Sequence, residues 1–135
     1  MSEQEIYEII SRQVDEAMAA AVITRFNEGG PAPDLASRDQ PFALVNIVID
    51  DVTTMALGPT APKRYQGAVE VAVFVRTGSG NRKIRETKTE LHKRLINVYL
   101  DGKVLMAHKA IGMGTRSISQ WTGEGFQYMF SVDET

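Results

Sequence analysis

Seven basic residues surround one predicted helix and form the densest set of side chains that could bind a partner. Arg82, Lys83 and Arg85 lie in its first turns, where the positive end of the helix dipole disfavours a cation. This placement predicts a compensating anion, either acidic residues of a neighbouring protein or nucleic acid phosphates, although a plain solvated face would tolerate the small penalty. No aromatic residues interleave with the cluster, so a nucleic acid contact would be restricted to the backbone and sensitive to salt. The whole set is Arg76, Arg82, Lys83, Arg85, Lys88, Lys93 and Arg94.

The residue types needed for catalysis are present but not in recognisable patterns. The stretch Thr77–Lys83 follows a strand and opens a helix, yet it lacks the glycine and lysine spacing of a phosphate-binding loop. His92 and His108 have no carboxylate or second histidine at ligand spacing. Asp50 and Asp51 are typical of a strand end at the surface. The sequence therefore predicts neither an enzyme, nor a metal site, nor a cofactor.

Composition is that of one domain spanning residues 1–135. The chain has no cysteine, its N-terminus is too acidic for a secretory signal, and its longest apolar run, residues 17–23, is too short to span a bilayer. We therefore expect a soluble protein made in a cytoplasm.

Charge is divided along the chain, with a net of −7 over residues 1–51 and +5 over residues 52–135. Such a chain could pair head to tail with copies of itself, or its charges could simply be solvated.

Hydrophobic periodicity predicts two helices and several strands. A capping box at Ser2 and Glu5 opens helix 1, expected over residues 3–27, and helix 2 is expected over residues 81–99. Strands are expected over residues 42–50, 64–76, 104–113, 115–121 and 126–132. The fold class that follows is α+β, with a single mostly antiparallel sheet and both helices packed on one face.

Two features predict contact with another subunit. The connection over residues 51–63 is long and contains Val52, Met55 and Leu57, so it could be a contact arm or could fold back on its own core. In the strand at residues 64–76, four valines alternate on the face expected to meet the helices. The opposite face mixes Gln66, Glu70 and Phe74 with alanines, and such a mixed surface could pack on a partner.

This layout resembles the tail terminator, or tail completion, proteins of long-tailed bacteriophages over most of the chain. The most specific features are the Arg64-Tyr65-Gln66-Gly67 entry to a strand, the Gly78-Ser79-Gly80 junction with helix 2, and Trp121 just before the last strand. The long segment 51–63 and the strongly basic second helix depart from the pattern.

The resemblance implies a structural virion protein at the head-proximal end of the tail. Family members form rings, typically hexamers, that cap the tail tube, stop its polymerisation and present a surface to the head–tail connector proteins. DNA passes through the lumen, and no membrane is involved. In such a ring Val52, Met55, Leu57, Gln66, Glu70 and Phe74 are candidates for the subunit or tube interface, and Arg82, Lys83, Arg85 and Lys88 for the lumen or an acidic partner. The alternative is a small nucleic-acid-binding module that uses the basic helix at residues 81–99.

Overall fold

The computed structural model describes residues 2–54 and 57–133, and it confirms the α+β class. Its elements, in chain order, are α1 (Glu3–Ala21), β1 (Thr24–Asn27), β2 (Phe42–Thr54), β3 (Lys63–Arg76), α2 (Arg82–Leu95), β4 (Tyr99–Leu100), β5 (Val104–Ile118) and β6 (Trp121–Asp133). The strands form one sheet in the order β1-β2-β3-β6-β5-β4.

The sheet is mixed and curled into a half-barrel: four of its five strand pairings are antiparallel, as expected, but one is parallel, and the curl was not predicted. The long strands β2, β3, β6 and β5 are antiparallel to their neighbours, but β1 is parallel to the start of β2. The prediction missed β1 because it assigned residues 24–27 to helix 1. Four residues that directly follow a helix are too few to reveal a change from helical to strand periodicity.

Helix α1 begins as predicted and ends six residues early. The Ser2 hydroxyl accepts a hydrogen bond from the Glu5 backbone N–H at 3.2 Å, the first half of the expected capping box. At the other end Val22 adopts a left-handed conformation with φ of 55°, and its N–H returns to the last turn. Within this chain the apolar residues 17–23 are not buried on all sides, since Ala19, Ala20 and Val22 are exposed.

Two hydrophobic clusters lie on opposite faces of the sheet. The larger one joins α1 and α2 to the valine face of β3, as predicted. The smaller one contains Phe42, Ala72, Phe74 and Trp121, and the segment after β1 covers it with Leu35. The Trp121 indole N–H donates to the Leu35 carbonyl at 3.2 Å, and its side chain is fully buried, so this tryptophan is a core residue.

Several predicted boundaries were wrong because strands continue through residues that usually interrupt them. Strand β2 runs to Thr54 and β3 begins at Lys63, so the expected 51–63 connection shrinks to residues 55–62. Residues 104–118 form one strand, bulged around residues 107–109 and at Met113. Residues 122–125, which separate two of the predicted strands, lie inside β6, because the tight turn falls at Ser119 and Gln120 instead. Helix α2 ends at Leu95, four residues before the predicted end.

Candidate interaction surfaces

The mixed face of β3 does not expose all the residues proposed as contacts. Gln66 is exposed and Glu70 is half-buried, so both remain available to a partner. Phe74 is fully buried and stacks on Phe42 with ring centroids 5.2 Å apart. The structure therefore corrects its expected place on an open surface: Phe74 belongs to the smaller core, which the sequence did not reveal because residues 28–41 were read only as a loop.

The hairpin between β2 and β3 carries exposed apolar side chains. Val52 is half-exposed on β2, and Leu57 is fully exposed in the connection. Met55 lies outside the described residues. Among the described residues of this connection, Leu57 does not pack on the core. Its side chain is therefore free to contact another molecule.

Much of the basic cluster is engaged inside the molecule. The Lys83 ammonium donates to the Ala21 carbonyl at 2.8 Å and lies 3.2 Å from Glu86. Since the last turn of α1 contains no basic residue, Lys83 supplies the cation that this helix end favours. Arg94 bridges the helices through Glu16 at 3.2 Å and also pairs with Glu90, one turn earlier on α2, at 3.6 Å.

The remaining basic residues of α2 face outward to different degrees. Arg82 is largely exposed and pairs with Glu86 at 3.0 Å, where both basic neighbours hold the pKa of that carboxyl below its usual value. Arg85 and Lys93 are exposed. Lys88 is half-buried, with its ammonium 5.4 Å from the centre of the Phe126 ring. The outward-facing charge on α2 is therefore smaller than the sequence suggests, and the nucleic-acid alternative remains a prediction.

His92 has an internal partner that the sequence did not indicate. Its Nδ1 lies 2.8 Å from the hydroxyl of the buried Tyr128 on β6. Burial and the nearby Lys88 lower the pKa of His92, and burial raises the pKa of Tyr128. A half-buried, hydrogen-bonded histidine of this kind is a packing residue, and its partner lies on β6, 36 positions further along the chain.

A cavity of about 450 Å³ lies in the half-barrel, a feature that no pattern in the sequence predicts. Asp50 and Asp51 of β2 line one side, Gln66 and Ser131 line its floor, and His108 of β5 lines the other side. The acidic pair and the histidine are brought to one cavity by the curl of the sheet. Within residues 2–54 and 57–133, no three histidine or acidic side chains converge closely enough to hold a metal ion.

The comparisons with known proteins bear on the fold alone. Neither a family model nor any curated protein matches the chain. One solved structure, known only by a sequence identifier, superposes with a TM-score of 0.66 over 98% of this chain and 96% of its own, at 19% identity. That similarity supports the described architecture from end to end. In addition, neither described helix is long and apolar enough to cross a membrane.

Proposed function

We propose that this protein is a tail terminator: a structural virion protein that forms a ring at the head-proximal end of a phage tail tube. The ring stops tube polymerisation and provides the surface for head–tail joining. Its partners are further copies of the chain, the tail tube protein and the head–tail connector proteins. DNA passes through the lumen during ejection.

The entry to β3 is the observation that carries this proposal, because it is the most specific part of the resemblance. Arg64 forms a two-pronged ion pair with Asp133, with its Nε 2.7 Å from the carboxylate, and so ties this entry to the end of β6. Tyr65 is buried among the helix-side core residues. Gly67 leaves no room for a side chain, since a Cβ there would lie 2.0 Å from the Val48 carbonyl oxygen. Each residue of the Arg-Tyr-x-Gly signature therefore has a structural reason to be present.

The other two features of the resemblance have matching roles. Gly78 and Gly80 both have positive φ and turn the chain from β3 into α2. Trp121 starts β6 and fills the smaller core. In the proposed ring, the exposed hairpin with Val52 and Leu57 contacts the tube or a neighbour, and the outward basic residues Arg85 and Lys88 face the lumen or an acidic partner.

Tube growth in vitro tests the proposal directly. The tail tube protein encoded by the same genome is polymerised with and without this protein, and tube lengths and tube ends are examined by negative-stain electron microscopy. We expect growth to stop when the protein is added and a ring to appear at one end of each tube. Unchanged tube lengths with bare ends would refute the proposal.

A further inference from the structure

Within residues 2–54 and 57–133, both edges of the sheet contain a long stretch without a neighbouring strand. On one edge, β1 pairs with β2 only as far as Val45, and the Val45 carbonyl also accepts the Glu28 N–H at 3.0 Å. Residues 46–54 of β2 have no such backbone partner on this edge. On the other, cover of β5 ends at Ala107, whose carbonyl accepts the Asn97 N–H at 2.8 Å, and residues 108–118 lie beyond it. Open strand edges of this length are templates for pairing with another chain.

These two open edges are complementary in charge. The open part of β2 contains Asp50 and Asp51 and no basic residue, whereas the open part of β5 contains Lys109 and Arg116 and no acidic residue. Pairing β2 with β2, or β5 with β5, would therefore bring like charges together, which is destabilising across a ladder. Pairing β2 of one copy with β5 of the next brings opposite charges together, and such a head-to-tail contact builds rings or filaments.

The apolar side chains on the two open edges also favour burial of these edges against another chain. Val52 on β2 and Ile111 and Met113 on β5 are all exposed. Proteins usually protect an open edge with charge or with irregular backbone. Here bulges interrupt β2 near Asp50 and β5 at two places, which limits how long a ladder between copies can be. A short ladder flanked by charge pairs is the arrangement that these edges allow.

The levels of the residues in the sheet agree with this pairing. Asn46 is level with Ile111 through the ladder partners Glu70 and Gln127. A second row, through Gln66 and Ser131, sets Asp51 level with Leu105. Within one chain, β2 and β5 run in opposite directions. If the next copy is generated by rotation about an axis parallel to the strands, its β5 is still antiparallel to β2 of the first copy. Residues that are level within one chain are then also level between the two copies. The common open stretch is then residues 46–48 against 108–111, because Ile49 is level with the covered Met106. Asp50 and Asp51 follow just after this stretch, on the side where Lys109 lies.

We infer that the open edge of β2 in one copy pairs with the open edge of β5 in the next, and that Asp50 and Asp51 meet Lys109 at this junction. The inference rests on the proposed function only in identifying the assembly as the terminator ring. The strand edges and their charges are properties of the chain whether or not it caps a tube.

Cross-linking between differently labelled copies tests the junction. Unlabelled and heavy-isotope-labelled protein are mixed at the highest concentration the protein reaches, and a zero-length carbodiimide joins carboxylates to lysines. We expect peptides that link Asp50 or Asp51 to Lys109 with one light and one heavy partner. If this link is absent, or if both its peptides always carry the same label, the contact between copies does not exist and the inference fails.

Charge reversal gives an independent readout by light scattering at low salt. We expect Lys109→Glu to weaken self-association at least about tenfold, because it places like charges at the junction. Arg12→Glu, the same charge reversal at an exposed residue of α1, should leave self-association unchanged. Adding Asp50→Lys and Asp51→Lys to Lys109→Glu should restore it. Wild-type association of Lys109→Glu, or failure of the folded triple variant to recover, would overturn the inference.

The tube assay separates failure of the inference from failure of the proposed function. Tube capping by a protein that lacks the mixed-label cross-link would remove the junction and leave the proposed function standing. The cross-link without tube capping would establish the junction and remove the terminator assignment.

Discussion

Gly67 is the residue that most directly limits what β3 can contain. A Cβ at this position would meet the Val48 carbonyl oxygen at 2.0 Å and the Phe130 ring at 2.8 Å. The first contact is with backbone in the adjacent strand, next to the bulge at Ile49 and Asp51, so it cannot be relieved by rotating a side chain. We therefore expect Gly67→Ala to lower the free energy of unfolding by about 1–3 kcal/mol, measured by urea denaturation.

Gly112 provides the matched control for this substitution. It also lies in a strand, its φ is not positive, and a Cβ there would have nothing within 4 Å. Gly112→Ala should therefore leave stability unchanged or raise it by up to about 1 kcal/mol, since it reduces the entropy of the unfolded chain. Equal effects of the two substitutions would contradict the steric account of Gly67.

His92 is expected to make stability depend on pH between neutral and mildly acidic conditions. Burial and Lys88 lower its pKa in the folded protein from the ordinary value of 6.5, so the folded state binds the proton less readily than the unfolded state does. The stabilisation is therefore complete above the unfolded pKa and is lost as the pH falls through the folded pKa. Urea denaturation between about pH 7.5 and pH 5 should show stability falling with acidification.

The substitution His92→Gln tests whether this histidine is responsible. It should flatten the pH dependence over this interval, because glutamine does not titrate. A wild-type slope in His92→Gln would assign the pH dependence to another group.

At the scale of elements, the two helices depend on each other through their termini. Lys83, in the first turn of α2, donates to the Ala21 carbonyl at the end of α1. We expect Lys83→Met to lower the free energy of unfolding by about 1 kcal/mol, a value reduced from that of a buried charged hydrogen bond because Lys83 is partly exposed. Urea denaturation followed by helical circular dichroism measures the loss.

Substitution of the neighbouring Arg85 is the control, because it removes the same positive charge from the same helix turn. Its side chain is exposed, and a cation near the start of a helix is unfavourable. Arg85→Met should therefore be neutral or raise stability by up to about 1 kcal/mol. If Lys83→Met lowers stability and Arg85→Met does not, the hydrogen bond to Ala21 is the cause and the loss of a positive charge is not. If both substitutions lower stability, the hydrogen bond is ruled out as the cause.

Elements with strong periodicity could be predicted from sequence, and those defined by tertiary contact could not. The alternating valines of β3 correctly predicted a strand and its helix-facing side, because alternation has one geometric meaning. The short strands β1 and β4 are assigned by their pairing with neighbours, which no local pattern reveals. Gly123 and Gly125 fall between two of the predicted strands, yet they lie in β6, where Gly123 accommodates the Phe74 ring that a Cβ would approach to 2.5 Å.

At the scale of the whole molecule, the division of charge seen in the sequence is partly neutralised by folding. Acidic residues of the first part pair with basic residues of the second, as in Glu16 with Arg94 and, more loosely, Glu28 with Arg116 at 3.9 Å. The curl of the sheet brings Glu28, at one edge, near Arg116, at the other. Sequence position alone could not show which charged side chains are left to contact another molecule. Asp50 and Asp51 on the edge of β2 and Lys109 on the edge of β5 are among them.

The exposed hairpin permits a final prediction that separates stability from assembly. Because Val52 and Leu57 project into solvent, replacing both with serine should change the free energy of unfolding by no more than about 0.5 kcal/mol. The proposed function makes these side chains contacts, so the double variant should bind tube ends more weakly, as counted by electron microscopy. Val22→Asn is the control, since Val22 is 79% exposed at the end of α1, outside the hairpin, and asparagine tolerates its left-handed backbone. A folded double variant that caps tubes as well as the control would show that the hairpin is not the contact, and the tube would then have to meet another part of the ring.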